Sequence, residues 1–64
     1  SVQVGDLVKL INNSCKDSKR IGIVTEFTCH GENGPLASGW VQWAGNSDRD
    51  IEYVEDLEVI SASR

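Results

Sequence analysis

Methionine is absent from this chain even at position 1, which implies an N-terminus left by processing or truncation. Proline and histidine occur once each in 64 residues, and cysteine twice. No apolar run approaches the roughly 20 residues of a membrane-spanning helix, and no apolar leader segment is visible, so no membrane partner is expected. Cations are in the minority. Six Lys and Arg face ten Asp and Glu, a net charge of −4. Phosphate backbones are bound by positive surfaces that displace counterions, so this balance disfavours nucleic acid. The one local exception is Lys16 to Arg20, three cations around Asp17.

The cysteines fit no Cys-x-x-Cys pattern, and one pair permits one bridge. Three readings of Cys15 and Cys29 stay open. They are free thiols, or they close the loop between them as a disulfide, or they join His30 in a metal site completed by Asp17 or Glu32. Structural zinc takes four ligands, and no further Cys or second His is present. No metal and no cofactor are therefore expected. Without a secretion signal, the expected compartment is reducing. Catalysis has no motif either. His30 adjoins Cys29 in the chain, and neighbours on a strand face opposite ways. Carboxylates are plentiful, but a chain this short offers no deep pocket to raise the pKa of one of a pair. The expectation is a protein that is not an enzyme.

What is present is a series of short apolar stretches between polar turns. One small domain is all that 64 residues allow. Folding buries roughly 6,000 Å² by surface scaling. With about 60% of that area apolar, at about 25 cal/mol per Å² this gains roughly 90 kcal/mol, against roughly 95 kcal/mol for ordering the chain. A fold so balanced gains from a partner subunit.

Leu7 to Ile11 reads as a strand after a Gly5-Asp6 turn, with Val8 and Leu10 on one face. Residues 12–19 are turn formers and read as a loop. Arg20 to Thr28 is β-branched and aromatic, a second strand. Gly22 inside it signals a bulge or a close backbone approach. Cys29 to Gly39 holds the breaker Asn33-Gly34-Pro35 and reads as a loop long enough to carry binding. Trp40 to Ala44 is a third strand, Ile51 to Glu55 a fourth and Leu57 to Ile60 a fifth. A tight helical turn is expected near Glu55-Asp56, and Ser61 to Arg64 reads as a tail. The fold class is all-β, a small closed or nearly closed barrel of about five short antiparallel strands.

The segments "VGDLVKL", "GIVTEF", "VQWAG" and "EYVEDLEVI" follow one another in an order that resembles the SH3-like small barrels. The chain likewise resembles short proteins of the large tailed phages of marine cyanobacteria. The resemblance covers Val4 to Ile60 and implies a single barrel domain over residues 1–64, placed in the host cytoplasm or the virion. Relatives on this barrel include Tudor modules, which hold a methylated cation in an aromatic cage. Phe27, Trp40, Trp43 and Tyr53 are the only aromatics here.

Trp40 and Trp43 differ by an odd number, so alternation sends them to opposite faces of one strand. Val41 and Trp43 are expected inside, and Trp40 outside beside Gln42. If Ile51 and Tyr53 face inward, Glu52 faces out. Trp40, Gln42, Trp43, Tyr53 and Glu52 thus form the candidate interaction surface. The leading functional expectation is a protein-interaction or structural module that self-associates. A second is an acidic modulator that occupies the nucleic-acid site of a host protein through Asp48, Asp50, Glu52, Glu55, Asp56 and Glu58. A third is a weak nucleic-acid binder in which Lys9, Lys16, Lys19 and Arg20 converge.

Overall fold

The chain begins with a turn fixed by two residues of its "VGD" triplet. Asp6 N–H donates to the Gln3 carbonyl, and Gln3 N–H donates to Asp6 Oδ2 at 2.9 Å. Gly5 stands at the third turn position with φ of 93°, a conformation natural to glycine. The computed structural model describes residues 1–11 and 21–63. From the turn the chain enters β1 (Leu7–Leu10), then β2 (Gly22–Phe27), β3 (Ser38–Trp43) and β4 (Asp50–Tyr53). A single 3-10 turn, Val54–Asp56, leads into β5 (Leu57–Ser61).

The five strands form one antiparallel sheet in the order β4-β3-β2-β1-β5. The all-β expectation of about five short strands is met. β4 and β5 are the two edges and do not pair with each other, so backbone hydrogen bonds do not close the sheet into a barrel.

One face of the sheet carries the core. Val8, Val24, Val41 and Trp43 are fully buried there, with Val2 and Leu57. Leu10, Phe27, Val54 and Val59 pack around them. The phase expected for β3 holds, with Val41 and Trp43 turned inward, and in β1 it is the face of Val8 and Leu10 that meets the core. In β2 the phase changes along the strand. Val24 pairs with Val41 and Glu26 with Trp40, which leaves an extra residue between them. This irregularity lets Phe27 return to the core side opposite Gly39. Gly22 is not at that irregularity. It marks a close approach instead, since a Cβ there would lie 2.5 Å from Val41 Cγ1 and 2.7 Å from Trp43 Cε3.

Two expectations are corrected. Ile51 and Tyr53 face outward, each about half exposed, and Glu52 faces the core side. The reason is register. Gly39 pairs with Glu52 and Trp40 with Ile51, and directly opposed residues share a face. The second correction concerns the C-terminus. Ser61 belongs to β5, and Ser63 N–H donates to Asp6 Oδ1 at 3.0 Å, so this segment is anchored.

Candidate interaction surface

The five residues expected at the surface take different places. Trp43 is wholly buried, and its indole Nε1–H donates to Glu52 Oε2 at 3.1 Å. Glu52 is therefore an acceptor for the core indole. Gln42 is half-buried and donates through Nε2 to the Asn46 carbonyl at 2.6 Å, tying the turn after β3. Trp40 does point outward, but the Arg49 guanidinium lies 5.0 Å from its ring centroid. Arg49 Nη1 also donates to Thr25 Oγ1 at 2.9 Å and to Glu26 Oε1 at 3.2 Å. This places a cation over the indole face and neutralises that cation locally. Of the five, only Tyr53 presents an open surface.

The four aromatics do not converge on one point. Trp43 and Phe27 lie on the core side, while Trp40 and Tyr53 lie on the outer face. A four-membered aromatic cage is thus not formed.

Tyr53 has neighbours that the sequence did not single out. With Ile51 and Leu36 it lines a groove of about 430 Å³, floored by Thr28 and Ser38 and rimmed by Cys29 and His30. Leu36, Ile51 and Tyr53 are 55%, 55% and 51% exposed. Among the described residues, no Asp, Glu, Lys or Arg lines this groove. Hydrogen bonds tie Thr28 and Ser38 together beneath it. The Thr28 and Ser38 hydroxyls are 2.6 Å apart, Thr28 N–H donates to the Ser38 carbonyl, and Ser38 N–H donates to the Gly31 carbonyl. The segment expected to carry binding thus contributes Leu36 and one wall. The available signal was Leu36 itself, an aliphatic directly after the Asn33-Gly34-Pro35 breaker.

A second groove lies past the end of β4. Leu10, Ile11, Glu52, Glu55 and Asp56 line about 290 Å³ there. The outer face of the opposite edge is different. Lys9 and Glu58, one on β1 and one on β5, stand 3.9 Å apart with both side chains about half exposed. The six carboxylates of the acidic stretch therefore do not share one face.

Cys29 is an exposed free thiol, while Cys15 and the basic stretch Lys16 to Arg20 lie outside the described residues. Among the described residues, no three His, Cys, Asp or Glu side chains stand close enough to hold a metal ion. No helix among the described residues is long and apolar enough to cross a membrane. Comparison with protein-family models, with curated proteins and with solved structures finds no match to this chain.

Proposed function

We propose that this chain is a non-catalytic protein-interaction module whose contact surface is the outer face beside β4. The observation that carries the reading is the uncharged groove of Leu36, Ile51 and Tyr53. Each of these side chains is about half exposed, on a chain whose net charge is −4. Large apolar side chains gathered in one groove of a net-acidic chain are the composition of a contact site. The resemblance of Val4 to Ile60 to SH3-like small barrels, phage proteins among them, belongs to this proposal, as does a location in host cytoplasm or virion. Function on such a scaffold is argued from the site rather than from the fold.

Self-association now has a different seat from the one expected. Trp40 lies under Arg49, so the proposed seat for a second copy moves to Leu36, Ile51 and Tyr53, which line one groove, whereas the other exposed apolar side chains, Val4, Ile11, Ile21, Ile23 and Ile60, do not line it. Sedimentation equilibrium over micromolar concentrations tests this with wild type and Ile51→Lys. Association that Ile51→Lys abolishes identifies a second copy as a partner. If the wild type stays monomeric, immobilised chain is used to capture proteins from lysate. Equal capture by wild type and Ile51→Lys would remove this groove as the contact surface.

A further inference from the structure

We infer that the free edge of β4 receives an extended peptide strand in which aliphatic and basic residues alternate. This rests on the interaction-module reading and names the partner's chemistry. The argument begins with the backbone. In an antiparallel ladder, opposed residues alternate between pairs that exchange hydrogen bonds and pairs that do not. Val54 N–H donates to the Ala37 carbonyl, which makes that a bonded pair. Counting along the register, Glu52 with Gly39 and Asp50 with Val41 are bonded pairs as well. Ile51 with Trp40 and Tyr53 with Ser38 are not. The other side of β3 agrees. Thr28 N–H donates to the Ser38 carbonyl and Ala44 N–H to the Ile21 carbonyl, so the even-numbered residues of β3 serve β2. The N–H and C=O groups of Ile51 and Tyr53 therefore point away from the sheet, along an edge that no strand covers among the described residues.

The side chains of β4 specify what would pair there. Its sequence alternates acid and apolar: Asp50, Ile51, Glu52, Tyr53. Ile51 and Tyr53 open onto the uncharged outer groove, and Glu52 borders the acidic groove shared with Glu55 and Asp56. Glu55 and Asp56 are both exposed. A strand added at this edge has the same period of two. Its residues opposite Ile51 and Tyr53 would lie in the uncharged groove, and the residue between them would point to the carboxylates. Aliphatic side chains suit the first positions and Lys or Arg the second. Main-chain bonds give such a site affinity, and the alternating pockets give it selectivity.

The two edges of the sheet support the choice of edge. Lys9 and Glu58 put charge on the outer face by β5, a common guard against strand addition. The outer face of β4 carries no charge. A second copy is a poor strand for this edge. Antiparallel pairing of β4 with itself sets Asp50 or Glu52 against the carboxylates of the other copy, and directly opposed like charges destabilise a ladder.

The test uses the full chain and a capped seven-residue probe, Lys-Val-Lys-Val-Lys-Val-Lys. Its block isomer, Lys-Lys-Lys-Lys-Val-Val-Val, has the same charge and composition. The alternating probe is expected to bind at least tenfold more tightly than the isomer. Exchange of the Ile51 and Tyr53 amides should slow at least tenfold at saturation, with little change at Glu52, which is already bonded to β3. N-methylation of the probe at its Val positions should remove binding, while N-methylation at Lys positions should leave it within about twofold. Glu55→Lys with Asp56→Lys should weaken this probe and favour one alternating Glu with Val. Equal effects of the two methylation sets, equal binding of the isomer, or no binding at millimolar probe would each overturn the edge site. Amide protection that grows with protein concentration alone would make the strand a second copy and overturn the basic peptide. Binding of both isomers without amide protection, lost in Ile51→Lys, would keep the interaction module and reject the edge.

Discussion

Buried polar atoms in a domain this small each need a specific partner, and Trp43 shows the consequence at the level of a single residue. Its ring is fully buried, so the indole N–H must find an acceptor inside. Glu52 supplies one from the neighbouring strand. Replacing Glu52 with Ala is expected to cost about 1–3 kcal/mol, because it leaves a buried donor unpaired. Glu52→Gln keeps an acceptor oxygen and should recover most of that loss. Urea denaturation of the two variants checks the ordering, and equal loss in both would show that the indole bond contributes little. Lys9→Ala is the contrasting case. Its pairing with Glu58 is long and exposed, so a change below about 1 kcal/mol is expected in the same measurement.

Strands reveal how far alternation alone can be read. In β3 Val41 and Trp43 share one face and outweigh Trp40 with Gln42, which settles the phase, whereas in β1 Leu7 and Ile11 compete with Val8 and Leu10 and alternation alone leaves the inward face open. In β4 the same reasoning fails. "DIEY" offers two apolar residues, and turning them inward is the default for an isolated strand. The register with β3 overrides it, because Gly39 and Val41 require their partners Glu52 and Asp50 on the core side. The indole acceptor was the missing clue, a tertiary demand that no periodicity contains. The outer groove was hidden for the same reason, since Ile51 and Tyr53 become its walls only once that phase is known. Gly22 was better legible, because a glycine within a β-branched run already announces crowding. Gly22→Ala forces a methyl against Val41 and Trp43, neither of which has space to retreat. A loss of about 1–3 kcal/mol is expected from such overpacking. A denaturation midpoint equal to wild type would show that the β2–β3 contact relaxes freely.

For the molecule as a whole, stability depends on closures between distant parts of the chain, and none is expected to be covalent. Cys29 is a free, exposed thiol, so a thiol reagent should modify it in the native state and reductant should leave the melting temperature unchanged. A disulfide closing the loop between Cys15 and Cys29 would instead contribute about 3 kcal/mol. The closure that the structure does show joins the two ends. Asp6 is fully buried and its carboxylate accepts from Gln3 N–H and from Ser63 N–H, 57 residues away. Ser63 Oγ also donates to the Val4 carbonyl, and a Cβ at Gly5 would lie 3.0 Å from the Ser63 side chain. One carboxylate thus holds the opening turn and the segment just after β5 together. Ser63→Pro removes the N–H donor and should cost about 1–2 kcal/mol, a shift of several degrees in melting temperature at this size. Ser63→Ala removes only the hydroxyl bond at the surface and should cost less. In an Asp6→Ala background the acceptor is already gone, so Ser63→Pro should then add little beyond the Ser63→Ala loss. That non-additivity is the signature of a shared interaction. Additive losses in the double variant would mean that Ser63 stabilises the fold through contacts other than the Asp6 carboxylate.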